Sequence, residues 1–415
     1  MTKSNKLTLF IIVSMILGGV CGALVRNYNT VDGVTDATAV KGFSDGISNI
    51  SMVFLRLIKM IIAPLVISTL VVGISKLGDL KTVGRIGGKT MLWFMSASFV
   101  SLFLGLVLVN WWQPGKMMNL PLPETGAETG LEGISMTVKG FLEHVFPSSI
   151  IDAMAHNELL QIVVFSLFFG TAVAAIGEKG KPVIEFMDSV SHVMLKVTSF
   201  VMNLAPIAVF AAMAAVIAKQ GIGILATYGL FISEFYAALL LLWIVLLLAG
   251  FFLVRRRVLT LISRIKEPLL IAFSTASSEA ALPKTMEELE RFGCKDKIVG
   301  FVLPLGYSFN LDGSMMYMTF ASIFIAQSYG IDMPIGVQIS MLLILMLTSK
   351  GIAGVPRASL VVIAGTLATF DIPEEGLLLL LGIDQLLDMG RSATNVVGNA
   401  VATVAVSKWE KAMDH

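Results

Sequence analysis

The closing segment of the chain most restricts what the chain can become. Leu377–Leu381 and Val401–Val406 are apolar, and between them stand Asp384, Asp388, Arg391, Asn395 and Asn399. These five fall 4, 3, 4 and 4 residues apart, a spacing that sets them on one stripe of an α-helix. At about 1.5 Å rise per residue the stripe runs roughly 22 Å. Apolar flanks of this kind belong in a bilayer, where one Asp or Arg at the centre costs roughly 2.5–3.5 kcal/mol on insertion scales. Residues kept at that cost face a cavity, a partner or a solute. A structural ion pair between Asp388 and Arg391 is the plain alternative, and it leaves Asn395 and Asn399 unexplained.

Composition agrees with a membrane setting. The chain has 415 residues, 56% of them hydrophobic and 14% charged, and a mean hydropathy of +0.84. A soluble chain carries about 25% charge, so this one reads as a polytopic membrane protein. A net charge of +1 gives no basis for a nucleic-acid partner. Two cysteines, Cys21 and Cys294, make neither a disulfide framework nor a thiolate site. The histidines, His144, His156, His192 and His415, lack zinc-ligand spacing. Lys3 and Lys6 ahead of Leu7–Leu24 resemble a signal peptide, but a retained first helix is the preferred reading because the next segment is also membranous.

Hydropathy places spans near 8–25, 46–77, 86–112, 148–176, 184–217, 225–254, 296–326 and 376–407. Lys and Arg collect on alternate loops: Lys76, Lys81, Arg85 and Lys89, then Lys179 and Lys181, then Arg255–Arg257, then Lys408 and Lys411. The positive-inside rule makes that side cytoplasmic, with both termini on it. An even number of crossings is required, and eight transmembrane helices satisfy it.

Two segments fit poorly as single spans. Residues 262–290 run through a polar tip, Ser274-Thr-Ala-Ser277-Ser278-Glu279, and residues 336–370 through Thr348-Ser349-Lys350-Gly351-Ile-Ala-Gly354-Val355-Pro356. Each half is too short to cross, and small polar tips suit turns and exposed backbone. Re-entrant helical hairpins, one from each side, fit both; two kinked ordinary helices are the alternative. Paired interruptions in the two halves point to a transporter built from inverted repeats. Between them, Leu303-Pro304-Leu-Gly306-Tyr-Ser308-Phe-Asn310-Leu-Asp312-Gly313-Ser314 reads as a helix broken by Gly306 and Gly313, with Asp312 and Asn310 at the break. Free carbonyls at such a break, with one carboxylate, can hold a cation. A break satisfied by neighbouring helices is the alternative.

Ser277-Ser278, Asn310-Leu-Asp312-Gly313, Gly351-Ile-Ala-Gly354-Val355-Pro356 and Asp388-Met-Gly-Arg391-Ser392-Ala-Thr-Asn395 together resemble the dicarboxylate/amino acid:cation symporter family, which includes the glutamate transporters. The resemblance spans essentially the whole chain and is nearest to the bacterial proton/glutamate symporters. It implies an all-α polytopic elevator-type transporter, a homotrimer in the bacterial inner membrane. A scaffold would comprise residues 1–82 and 115–220, and a mobile transport domain 83–114 and 221–415, with the second hairpin as outer gate.

Site roles follow from the same resemblance. Arg391 would hold a side-chain carboxylate, Asp388 an α-amino group and Asn395 an α-carboxylate. Ser278 and Val355 would help through their backbone, with Ser277, Ser314 and Ser392 lining the site. Asp388 favours L-glutamate or L-aspartate over a C4-dicarboxylate, since a substrate without an amine needs no carboxylate there. The coupling-ion region would include Glu279, Gly306, Ser308, Asn310, Asp312 and Asn399. Sodium-coupled members carry an aspartate where Asn399 stands, and a Tyr and a Thr-Ser pair where Phe94, Ala97 and Ser98 stand. The departures imply protons as coupling ion, with sodium weak or absent; no metal site is firmly predicted and no cofactor is expected. Vertebrate members place a glutamate where Met318 stands, so the proton carrier is open among Glu279, Asp312, Asp388 and Glu234. Glu279 has pairing with Arg357 as its alternative, and Glu234 pairing with a lysine or hydroxyl. Arg56 and Lys59 read as snorkelling or scaffold residues.

A channel or receptor is the rival class. An intramembrane enzyme using Ser277 or Ser278 is disfavoured because no His or Lys base sits at a suitable spacing.

Overall fold

The computed structural model describes residues 3–31, 34–77, 80–118, 122, 142–143, 145–221, 223–349, 358–381 and 383–414. The described chain is helical almost throughout, with one minimal hairpin in which Thr30–Val31 pairs antiparallel with Val34–Thr35. The principal helices are α1 (Lys3–Tyr28), α2 (Ala37–Leu77), α3 (Leu80–Trp112), α4 (Leu159–Ala175), α5 (Lys181–Met202) and α6 (Ala205–Gln220). They continue as α7 (Gly223–Val254), α8 (Arg257–Thr275), α9 (Ser278–Phe292) and α10 (Asp296–Phe309). The chain closes with α11 (Asp312–Ser328), α12 (Ile335–Thr348), α13 (Ala358–Thr369) and α14 (Asp384–Trp409).

By length and hydropathy, 4 described helices can each cross a bilayer unaided: Leu9–Tyr28, Ala37–Ser75, Lys81–Met117 and Tyr228–Val254. A fifth crossing is possible if the pair Gly177–Met202 and Ala205–Lys219, bent by 53°, acts as one span. The expected span 148–176 is instead a short helix, Ile150–His156, and then α4, because Asn157 takes a left-handed conformation (φ 55°) between them. The expected span 376–407 starts with a turn of 3-10 helix at Glu374–Leu377 and a short helix at Leu378–Leu381.

Two packing groups form. α1 lies along α6, and α2 packs on α4, α5 and α6. Gly18 and Gly22 set the first approach: a Cβ on either would overlap a carbonyl oxygen, that of Phe210 or of Ala214, so small residues here let two backbones touch. Arg26 then donates to the carbonyls of Ala218 and Lys219 at 3.0 and 2.8 Å, placing a cation on the C-terminal end of α6. In the second group α14 is wrapped by α7, α8, α10 and α11, and α3 lies along α11. The groups meet where α2 packs on α9 and α10. Many apolar side chains of α1 and α7 stay exposed, among them Ile16, Leu17, Leu240, Ile244 and Leu248, as suits a lipid-facing surface.

α8 and α9 pack against each other across a tight turn. Ala276, left-handed at φ 48°, ends α8, and the Ser277 hydroxyl caps α9 by accepting from the Ala280 N–H at 3.3 Å. The base of the pair carries charges that the sequence reading left unpaired. Buried Lys284 lies 3.6 Å from Glu267 on α8 and 2.8 and 3.3 Å from Glu287 and Glu288 on its own helix. Arg291 adds contacts to Glu287 and Glu288. A buried ion cannot remain without a partner, so this set locks the two arms in one register. The tip of the second pair, including Lys350, Gly351, Gly354, Val355, Pro356 and Arg357, lies outside the described residues.

The end of α14 is clamped from two sides. Glu410 accepts from Arg85 at 2.9 Å and from Lys89 at 2.6 Å, both on α3. The Asp414 N–H donates to the Gly293 carbonyl at 2.8 Å, joining the tail to the turn after α9. Burial alone would raise the Glu410 carboxyl pKa; the hydrogen bonds from Arg85 and Lys89 outweigh it and hold the group below its ordinary value. Stabilisation from a depressed carboxyl is complete above its unfolded pKa and is lost as pH falls through the folded one. Glu410→Gln is therefore expected to lower stability by about 0.5–1 kcal/mol at neutral pH, the exposed Arg85 being screened by solvent. Thermal unfolding of the two proteins at stepwise lower pH should bring their curves together in acid; a difference that persists there would contradict the clamp.

Candidate functional site

The predicted break in the helix after Asp296 is present, with Asn310 and Asp312 at it as expected, but the two glycines do not make it. Gly306 and Gly313 lie inside helices, and the chain leaves helical geometry at Asn310 (φ −117°, ψ 64°) and Leu311 (φ −98°, ψ 62°). The glycines serve close approach instead. A Cβ on Gly306 would overlap Asn399 Oδ1, and one on Gly313 the carbonyl oxygen of Arg391. α10 and α11 thus press their broken ends onto α14.

Polar groups at this contact interlock. Asn395 Oδ1 accepts from the N–H groups of Gly313 and Ser314 at 2.9 and 3.3 Å, and its Nδ2 donates to Ser314 Oγ at 3.3 Å. The predicted substrate ligand Asn395 therefore also satisfies the orphan donors at the start of α11, with one amide hydrogen left over. Asn310 Nδ2 donates to Asp312 Oδ2 at 3.0 Å and to Asn399 Oδ1 at 3.2 Å. Asp312 Oδ1 accepts from Ser101 Oγ of α3 at 3.2 Å. Gly398 admits this carboxylate, since a Cβ there would overlap Asp312 Oδ2. Ser308 Oγ, Asn310 Oδ1 and Asn399 Nδ2 are buried without a hydrogen-bond partner among the described residues. Buried polar atoms normally find partners, which makes these three candidates for contact with a polar solute or ion.

One to two turns earlier on α14 lies the charged part of the stripe. Asp388 Oδ1 is 2.5 Å from Arg391 Nη2, accepts from Arg391 Nε at 2.9 Å, and accepts from Ser392 Oγ at 3.0 Å. Arg391 Nη1 is buried with no hydrogen-bond partner among the described residues. The guanidinium lies 5.4 Å from the centre of the Tyr317 ring, whose hydroxyl donates to Asp384 at 2.9 Å. A guanidinium over an aromatic face keeps its plane fixed. α7 pins this part of α14, with Tyr236 donating to the Leu386 carbonyl at 2.7 Å and Trp243 to Thr394 Oγ1 at 2.8 Å.

Most predicted site residues thus converge on α14 and the break: Ser314, Asp388, Arg391, Ser392, Asn395, Gly306, Ser308, Asn310, Asp312 and Asn399. Ser277, Ser278 and Glu279 stand at the turn between α8 and α9, half-buried, and both helices pack on α14. Val355 lies outside the described residues. Glu234 has no ion pair among the described residues, and its Oε2 is buried without a hydrogen-bond partner, so the expected lysine or hydroxyl partner is not found there. Phe94 faces Gly306, and Ala97 and Ser98 are buried on α3. Ser101 and Tyr317 were missed, and Asp384 was placed on the stripe without a role at the site; the available signal for Ser101 was a polar group inside an apolar helix, one turn beyond Ala97.

A buried cation with one open donor, a carboxylate beside it and a broken helix, inside a bundle with an apolar outer surface, define a membrane transport protein for a small polar solute. Residues 7–409 match the model of the sodium:dicarboxylate symporter family, and the chain belongs to that family. It is 43% identical to a proton/sodium-glutamate symport protein of Geobacillus stearothermophilus, over 96% of this chain and 93% of that one. It is 41% identical to a C4-dicarboxylate transport protein of Laribacter hongkongensis (strain HLHK9), over 99% of this chain and 92% of the relative. A proton/sodium-glutamate symport protein of Bacillus caldotenax is 41% identical, over 96% and 93%. The family is one of symporters, and the protein is a transporter rather than an enzyme.

Proposed function

We propose that the protein imports L-glutamate or L-aspartate together with protons. The carrying observation is the Arg391–Asp388 pair, in which Nε and Nη2 are held by Asp388 while buried Nη1 has no partner among the described residues. A fixed guanidinium with an open N–H suits a carboxylate, and the adjacent carboxylate suits an ammonium. An acidic amino acid carries both groups. Asn395, with its spare amide hydrogen, and Ser314, Ser392, Ser277 and Ser278 would complete the site. A C4-dicarboxylate is the rival substrate, and Asp388 is the residue that separates the two.

The reading of the coupling ion rests on the break. One carboxylate, Asp312, stands there with two carboxamides, Asn310 and Asn399. Sodium prefers several oxygen donors with net negative charge, and a carboxamide at Asn399 supplies less of it than a carboxylate. Protons would be carried by Glu279, Asp312, Asp388 or Glu234, the last being attractive for its unpartnered oxygen. In this reading α3, α7 and all later helices move as a transport domain against a scaffold of α1, α2 and α4–α6. The second hairpin serves as the outer gate, within a homotrimer in the bacterial inner membrane whose termini face the cytoplasm.

Uptake of radiolabelled L-glutamate and L-aspartate into proteoliposomes tests this. At clamped membrane potential, an inward proton gradient alone is expected to drive concentrative uptake, and an inward sodium gradient alone is not. Uptake only with sodium would overturn the coupling assignment, and flux without accumulation would favour a channel.

A further inference from the structure

A second cationic site lies away from the transport stripe. α2 changes character at Met52: Lys41, Asp45 and Asn49 precede it, and from Met52 to Ser75 the only charged residues are Arg56 and Lys59. These two line a cleft of about 370 Å³ together with Met60, Pro64, Met154 and Asn157, and no carboxylate is among its lining residues as far as the described residues go. Asn157 Oδ1 is buried there without a hydrogen-bond partner. Half a turn of that amide would present Nδ2 donors instead, the two orientations being interchangeable in shape. Pro64 has no N–H, so the Met60 carbonyl loses its helical donor and the wall of the cleft is irregular.

Depth identifies the occupant. Arg56 and Lys59 precede Ser75 by 19 and 16 residues, roughly 24–28 Å of helix, close to the roughly 30 Å of a hydrocarbon core. Asn157 gives the same depth independently, standing 18 residues, again roughly 27 Å, before Ala175 at the end where Lys179 and Lys181 follow. Both helices therefore put the cleft at the headgroup boundary of the leaflet opposite the lysine-rich ends. Met60 lines the cleft, is exposed, and follows Lys59 in the direction of Ser75, toward the hydrocarbon. We propose that this cleft binds an anionic phospholipid, with Arg56, Lys59 and Asn157 on the headgroup phosphate and Met60 against its acyl chains.

Native mass spectrometry of the full chain, delipidated in neutral detergent, reads this directly. Phosphatidylglycerol, phosphatidylcholine and inorganic phosphate are titrated separately and in competition. The wild type should retain phosphatidylglycerol, and the double variant Arg56→Gln/Lys59→Gln should retain it roughly tenfold to thirtyfold less, from the loss of two cations near a phosphate. Phosphatidylcholine should bind weakly and equally to both, and inorganic phosphate should not displace the lipid. Arg56→Lys keeps the charge and should stay close to wild type; if the double variant does not fold, Lys59→Gln alone should lose roughly fivefold. Equal phosphatidylglycerol retention in wild type and variants would overturn the proposal. So would displacement by inorganic phosphate at similar concentration, which makes this a free-anion site. Efficient disulfide cross-linking between copies through Lys59→Cys in phosphatidylglycerol membranes would also overturn it, because a second copy would then cover the cleft.

Discussion

Arg391→Ala is expected to abolish the proposed saturable uptake of L-glutamate and L-aspartate, with substrate affinity falling by roughly thirtyfold to several thousandfold. The range follows from truncating one partner of a buried, hydrogen-bonded charge pair, which costs about 2–5 kcal/mol. Two losses add up: the donors for the substrate carboxylate disappear, and Asp388 is left without the guanidinium that neutralises it. Arg391→Lys restores the charge but not the planar fork, so it should recover only part of the affinity. Calorimetric titration of purified protein with each substrate separates binding from transport. The companion variant Asp388→Ala tests the amine assignment. It should weaken glutamate by roughly tenfold more than succinate, about one charge-assisted contact. Unchanged glutamate affinity in Asp388→Ala would remove the reason for preferring an amino acid, and unchanged affinity in Arg391→Ala would remove the site itself.

Gly398→Ala is the second large effect, produced by a single methyl group. Its Cβ would overlap Asp312 Oδ2 and come within 2.9 Å of Asp312 Cγ and 3.3 Å of Asn310 Nδ2. The carboxylate must then leave Ser101 and Asn310, its two neighbours at the break. Overpacking alone costs about 1–3 kcal/mol, and each hydrogen bond to a charged group adds about 1.5–3 kcal/mol. Uptake in proteoliposomes should be lost and thermal stability reduced. Gly88→Ala on α3, where a Cβ meets nothing within 4 Å, serves as the control and should transport like the wild type. Wild-type transport by Gly398→Ala would mean that the position of Asp312 does not matter.

The stripe on α14 was legible because a helix has one period. Residues 4, 3, 4 and 4 apart share a face whatever surrounds them, and their cost in lipid marks them as functional. The turn between α8 and α9 was legible for a local reason: small polar residues around Ser277-Ser278 suit a turn and a helix start. Span counting did less well. Asn157, the bend before Ala205 and the break at Asn310–Leu311 divide apolar runs that hydropathy treats as continuous, because hydropathy averages over a window and backbone geometry does not.

The contacts between helices were beyond the sequence. Nothing in the spacing of Ser101 says that it meets Asp312, 211 residues away, or that Tyr317 lies under Arg391 while reaching Asp384. Gly306 and Gly313 looked like helix breakers, since a glycine tolerates unusual backbone and gives no sign of what approaches it. They are spacers for Asn399 and for the α14 backbone. The sequence by itself determined the membrane setting, the polar stripe and the family pattern, all of which depend on local period and composition. The tertiary structure alone decided what the glycines beside the break approach, which donors and acceptors are left open and, among the described residues, which cations stand without a carboxylate. Those depend on how distant helices pack, and side chains far apart in the chain leave no periodic trace of their meeting.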